Sequence, residues 1–251
     1  MKARIERAAD AWLVGDDDEV IVIDPGQDAD QVLDKIGERD VLAVICTHGH
    51  ATHVAAAQEV ADPDEAPIAL HRSDRLHWRE SYRKDDPDIE MEDGGFFEVS
   101  DALLEVVHTP GHTAGSVSLY CEDLGVVFTG DALIASGPAP HEGIYPDFPR
   151  QLNSIGEHLL PLAEETRVLP GHGDEFTIGD AAKLFEGWVI AGPPILVDPG
   201  VEVEPDDEAE LDDEAESDDE AESPAEAEPA QSEPVIKTVP ILKAEPSTEE
   251  S

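Results

Sequence analysis

The chain has 251 residues, 60 of them acidic and 15 basic, for a formal net charge of −45. A polyanion of that size is a poor partner for a phosphate backbone, which excludes nucleic acid as the expected substrate. No apolar run is long enough to span a bilayer, and two cysteines, Cys46 and Cys121, cannot make the framework of a disulfide-stapled secreted domain.

In chain order, three short strands are expected first: Ala3 to Arg7, Trp12-Leu13-Val14 and Val20 to Ile23, the last two joined by a Gly15-Asp16-Asp17-Asp18 turn. No apolar segment behind Met1 to Arg7 is long enough for a signal peptide, so a cytoplasmic protein without membrane attachment is expected. Asp24-Pro25-Gly26 ends the third strand with turn chemistry. Asp28 offers an N-cap to a helix with Val32, Leu33 and Ile36 on one face. The chain then returns in the apolar strand Val41 to Cys46, completing a βαβ unit. Cys46 reads as a buried strand thiol.

That strand runs into Thr47-His48-Gly49-His50-Ala51-Thr52-His53, three imidazoles within six positions. Neutral imidazole nitrogens suit zinc, iron, manganese or nickel, and His48 and His50 can reach one ion from the same side. A short helix (Val54 to Val60) and a strand (Pro67 to Leu70) follow. The charged segment Arg72 to Asp86 reads as a surface helix and loop, flanked by His71 and carrying His77, neither expected to be a ligand. Strands are expected at Phe96 to Val99, Leu103 to Val107, Ser116 to Tyr120 and Gly125 to Phe128. Between and after them lie His112, in His108-Thr109-Pro110-Gly111-His112, and Asp131, in Thr129-Gly130-Asp131. His108 reads as a strand-end structural residue. Ala135 to Asp147, with His141 and Tyr145, has the glycine and proline content of a mobile exposed loop. Pro149 opens a helix with Leu152, Ile155, Leu159 and Leu160 on one stripe. Arg167-Val168-Leu169 is a strand that leads to Gly171-His172, and a last helix spans Ala181 to Ala191.

An apolar run that ends in a glycine-containing turn bearing a donor recurs at each of these places. With these motifs in order, residues 3 to 192 resemble the metallo-β-lactamase superfamily, and within it the small hydrolases similar to glyoxalase II. The resemblance implies an αββα sandwich, an α/β (α+β) fold of two mixed sheets face to face with helices outside, where periodicity alone would predict only a layered α/β domain. It implies a first metal held by His48, His50 and His112, and a second held by His53 and His172. Asp131 would bridge the two and position the attacking hydroxide. Thr52 stands where the family has aspartate. The expectation is therefore one tightly bound Zn2+ and a second, weaker one, with iron or manganese as the other metals the donors suit.

Past Pro194 the composition changes. Residues 201 to 251 hold 20 acidic and 2 basic residues, a net of −18, which leaves −27 on the remainder. Asp206 to Leu211, Asp212 to Ser217 and Asp218 to Ser223 are three copies of a six-residue acidic unit. The reading is a hydrolase domain over residues 1–194 and a disordered acidic tail over 195–251, dispensable for folding and catalysis. The apolar island Val235 to Leu242 inside it reads as leftover linker.

A Lewis-acidic metal lowers the pKa of bound water to about 7 and polarises a carbonyl, so hydrolysis of a small ester or thioester by metal-bound hydroxide is the expected chemistry. No Gly-x-Ser-x-Gly elbow competes with it. Three other readings stand beside it. One is a mononuclear iron oxygenase of the persulfide-oxidising kind, which the resemblance would place on His48, His112 and Asp131. Another is a non-catalytic metal-binding protein whose acidic tail is the interacting part. The last is a β-lactamase, disfavoured by the lack of an export signal. The expected partner is a small-molecule substrate.

Overall fold

The computed structural model describes residues 9–140, 146–193 and 236–240. The strand expected at Ala3 to Arg7, the loop residues His141 and Tyr145, and most of the acidic tail lie outside them. Twelve strands are described: β1 (Ala11–Gly15), β2 (Glu19–Ile23), β3 (Asp40–Ile45), β4 (Ile68–His71), β5 (Ile89–Met91), β6 (Phe96–Val99), β7 (Ala102–His108), β8 (Val117–Cys121), β9 (Val126–Gly130), β10 (Arg167–Pro170), β11 (Phe176–Thr177) and β12 (Ile236–Pro240). The α-helices are α1 (Ala29–Ile36), α2 (Ala51–Val54), α3 (Ala57–Ala61), α4 (Arg75–Ser81), α5 (Phe148–Ser154) and α6 (Ile178–Ala191).

The local chemistry read from the sequence is what shapes the first half. Asp16 Oδ1 accepts from the backbone nitrogens of Asp18 and Glu19 at 2.8 and 3.0 Å, closing the β1–β2 hairpin. Asp28 caps α1 by accepting from Gln31 N. The helix returns the chain to β3, which pairs parallel with β2.

The strands form two six-stranded sheets, in the orders β12-β1-β2-β3-β4-β5 and β11-β10-β9-β8-β7-β6. Alternate residues give each sheet two apolar faces. Trp12, Ile21, Ile23 and Ile45 from the first sheet meet Leu104, Leu119, Phe128 and Leu169 from the second in the central core. Leu13, Val22 and Val44 turn outward onto Val32 and Ile36 of α1 and Val60 of α3. Val127 and Val168 turn outward onto Ile155, Leu159 and Ile178. The layers are therefore helix, sheet, sheet, helix, the expected sandwich.

Four differences from the sequence reading have physical reasons. The helix expected at Val54 begins at Ala51, so Thr52 and His53 sit on a helical turn and not in a loop. The Arg72 to Asp86 segment is not all surface, because Trp78 and Asp74 are buried at 1% and 0% exposure. The helix opened by Pro149 continues past α5 through a π-helical turn, Ile155–Leu159, which keeps Ile155 and Leu159 buried. The expectation of leftover linker is corrected for residues 236 to 240, which form β12 and pair parallel with β1. Val239 enters the central core, and Lys237 Nζ lies 3.2 Å from Asp10 Oδ2 and 4.6 Å above the Trp12 ring. A short apolar run gains far more from a waiting sheet edge than local composition shows.

Candidate metal centre

The strands end together at one edge of the sandwich, so their following loops converge. β3 leads to His48 and His50, with His53 on α2. β7 leads to His112, β9 to Asp131, and β10 to His172. All six expected site residues are brought to this edge, in two compatible donor sets: His48, His50 and His112, and His53, Asp131 and His172. In the first set the ring centroids lie 4.7 to 5.0 Å apart, and His50 Nδ1 is 3.2 Å from His112 Nε2.

Hydrogen bonds decide which ring nitrogens are bare. Thr47 Oγ1 donates to Asp24 Oδ2 at 2.7 Å, so what it presents to His48 Nδ1, 3.1 Å away, is a lone pair. The proton then sits on His48 Nδ1 and leaves Nε2 bare; Nε2 is buried and has no hydrogen-bond partner. His112 Nδ1 donates to the Ala139 carbonyl at 3.0 Å, which puts the lone pair on its Nε2, 3.2 Å from His50 Nδ1. Burial, reinforced by the neighbouring His53, His112 and His50, holds His48 well below the ordinary histidine range, in the neutral form a cation needs. A buried orphan nitrogen facing two further imidazoles is the donor set of a borderline cation, and the residues present fit one.

Asp131 stands between the two sets. Its Oδ1 accepts from His172 Nδ1 at 2.7 Å, while its Oδ2 is 3.4 Å from His53 Nε2 and 3.6 Å from His112 Nε2. Burial would raise its pKa, but His53 and His172 outweigh that and hold the carboxylate well below its usual range. His53 is wholly buried, which by itself disfavours charge, yet Asp131 on one side and Asp24 on the other push it up to about 10. Without a metal, its proton is the cation between two carboxylates. Thr52 is 8% exposed on α2, directly before His53 in the chain, and offers only a neutral hydroxyl. Gly171 is required here for space: a Cβ would stand 2.5 Å from His53 Cε1 and 2.8 Å from Asp131 Oδ1.

Two carboxylates were missed by sequence reasoning. Asp24, read only as turn chemistry, accepts from Thr47 N at 2.7 Å and from His53 Nδ1 at 3.0 Å. Its φ of +49° is a conformation aspartate tolerates better than most residues. Asp74 was hidden in a charged segment. Conversely, Cys46 is buried and its thiol is pushed up by burial and by Asp24, in keeping with a packing role. His71 stacks on His108 with centroids 4.4 Å apart, outside both donor sets. His77 approaches the site, its ring 4.8 Å from that of His50. A separate polar cleft lined by His108, Arg150, Asn153 and His158 contains none of the six donors.

The family model described as the Metallo-beta-lactamase superfamily matches residues 4–172. The chain belongs to this superfamily. Among its relatives, the probable metallo-hydrolase YqgX of Bacillus subtilis is 33% identical over 182 residues, which cover 66% of this chain and 86% of that protein. The hydroxyacylglutathione hydrolase GloC of Haemophilus influenzae is 28% identical over 183 residues, 66% of this chain and 86% of that one. Among solved structures, the BLEG-1 B3 metallo-β-lactamase superposes with a TM-score of 0.63 at 30% identity, covering 70% of this chain and 91% of that chain. A mostly hydrolytic superfamily and a His/Asp cluster suited to divalent metals thus coincide in this chain. Among the described residues no helix is long and apolar enough to cross a membrane.

Proposed function

We propose that the protein is a metal-dependent hydrolase of a small ester or thioester. The observation that carries the reading is the convergence of His48 Nε2, His50 Nδ1 and His112 Nε2, with Asp131 Oδ2 placed between them and His53. His48, His50 and His112 would hold the first cation, and His53, Asp131 and His172 a second and weaker one, zinc being the metal the imidazole set suits best. When bound, such a cation supplies a water acidic enough to lose its proton near pH 7 and a centre that polarises the scissile carbonyl.

The chain's own residues do the rest. Asp131 Oδ2 is a lone-pair acceptor that orients the attacking water and takes its hydrogen bond. Asp24 holds the His53 ring by its Nδ1–H, and Thr47 holds His48, so both rings are oriented before a cation arrives, which displaces the second proton of His53. The similarity to a hydroxyacylglutathione hydrolase supports an acyl thioester as the first substrate class to test. The charge of −45 speaks against polyanionic substrates and for a small molecule.

The test is metal analysis of the purified protein with a panel of esters and thioesters, in zinc, manganese and iron forms, for wild type, His48→Ala and Thr52→Asp. Thioester turnover that His48→Ala abolishes is expected. Thr52→Asp, which returns a carboxylate to the second set, is expected to tighten the second zinc step and raise kcat/KM. If no form cleaves an ester or thioester, while the iron form consumes dioxygen with a persulfide, the oxygenase reading replaces this one.

A further inference from the structure

Asp74 is the first residue before α4, the position at which an aspartate ordinarily accepts from the nitrogens of its own helix. Its side chain makes no such bond. Instead its carboxylate, at 0% exposure, crosses to two other loops. Oδ2 accepts from Gly49 N at 2.8 Å and from Thr113 Oγ1 at 2.7 Å, and Oδ1 accepts from Gly115 N at 2.7 Å. Gly49 lies between His48 and His50, and Thr113 directly follows His112. One buried carboxylate therefore ties together the two loops that present all three imidazoles of the first donor set.

The surroundings are shaped for that approach. A Cβ at Gly115 would stand 2.5 Å from Asp74 Oδ1, and one at Gly49 would stand 2.8 Å from the Asp74 carbonyl oxygen. Thr113 Oγ1 is also 2.7 Å from Ser116 Oγ, which accepts from Thr113 N at 3.0 Å, so the His112 loop is itself folded around the hydroxyl that Asp74 holds. A carboxylate taken out of water is costly unless its lone pairs are satisfied; these three donors satisfy them, and none belongs to its own helix. Asp74 ends a 3-10 turn, Arg72–Asp74, that runs into α4 and is capped at its start by His71 Nδ1 accepting from Ser73 N, which leaves the Asp74 carboxylate to the other two loops.

We propose that Asp74 is a positioning residue that sets the spacing of the His48/His50 loop against the His112 loop, and through it the affinity and geometry of the first metal position. The proposal rests on the reading that His48, His50 and His112 hold a cation. Partners one shell removed from a metal characteristically change its affinity about 10- to 100-fold when lost, and Asp74 acts on both loops at once.

The test is cobalt titration of the full-length protein, followed by its visible absorption bands, with melting of the metal-free form in EDTA alongside. Asp74→Ala and Asp74→Asn are compared with Thr113→Val, which removes the hydroxyl's bonds to Asp74 and Ser116 and keeps the side-chain shape, so that a measurement remains if the Asp74 variants fold poorly. Trp78→Phe is the control: it perturbs the same helix by removing the hydrogen bond that Trp78 Nε1 donates to the carbonyl of Asp85, a residue of neither loop. Expected is a first cobalt step weakened about 10-fold or more in the Asp74 variants, with altered bands, and weakened less in Thr113→Val. Trp78→Phe should lower the melting temperature and leave the cobalt step and bands as in wild type. Wild-type affinity and bands in both Asp74 variants and in Thr113→Val would overturn the proposal. So would an equal loss of affinity in Trp78→Phe, which would mark the effect as general destabilisation. A wild-type protein whose cobalt binding is unaffected by His48→Ala would instead remove the metal reading itself, and this inference with it.

Discussion

Asp24→Asn tests the carboxylate that holds His53 directly and His48 through Thr47. The carboxylate accepts from Thr47 N and Thr47 Oγ1, each at 2.7 Å, and from His53 Nδ1 at 3.0 Å, at 1% exposure. An asparagine keeps one acceptor oxygen and presents an NH2 group at the other. Whichever way the amide turns, one buried donor then faces another donor. A hydrogen bond to a charged group is worth about 1.5–3 kcal/mol, and the two sides of the carboxylate cannot both be served, so the loss is about 2–3 kcal/mol. For a folded domain of this size that corresponds to a fall in melting temperature of roughly 4–12 °C, measured in EDTA. In a zinc titration the second step, which depends on His53, is expected to weaken about 10- to 100-fold, and the first step also, through Thr47 and His48. A melting temperature within about 2 °C of wild type, or a second step left as in wild type, would refute the assignment of Asp24 to His53.

Two further outcomes are expected. In the metal-free protein His53 is raised from 6.5 to about 10, so the stability its proton contributes is complete below about pH 6.5 and is lost as pH climbs toward 10. Asp131, lowered from 3.8, contributes stability that is present above that value and lost as pH falls through its folded pKa. Melting in EDTA should therefore decline steadily from pH 6.5 to 10; a flat profile there would contradict the buried His53 pair. Val239→Asp places a carboxylate at a site of 6% exposure in the central core. It should release β12 at a cost of about 2 kcal/mol, the worth of one buried valine, read as a melting temperature roughly 4–8 °C lower. An unchanged melting temperature would return residues 236 to 240 to the status of linker.

How much could be read from the chain itself depended on how local the determining chemistry was. His48, His50 and His53 are legible because six consecutive positions after an apolar strand carry three imidazoles, and α1 and the β1–β2 turn because their capping and turn residues act within three positions. His112, Asp131 and His172 stood out only as donors after strand ends; that they belong with the first cluster came from the family resemblance. Geometry then placed them, with His50 and His112 meeting across 62 residues of chain.

What only the tertiary structure decided are the groups whose partners are far away in sequence. Asp24 reaches Thr47 and His53 across 23 and 29 residues, and Asp74 reaches Gly49, Thr113 and Gly115 across 25, 39 and 41. In a chain with 60 acidic residues, two more aspartates carry no signal. They become distinct only through burial, because a carboxylate removed from water must find donors, and those donors here are the backbones and side chains of the loops that carry the imidazoles. The same holds for Ile236–Pro240, whose pairing depends on the unfilled edge of β1 more than two hundred residues earlier. Hydrophobic pattern and local turn chemistry act over a few residues and determine the elements; closing two sheets into a sandwich brings their loop ends within hydrogen-bonding reach, and that alone determines which carboxylate holds which histidine.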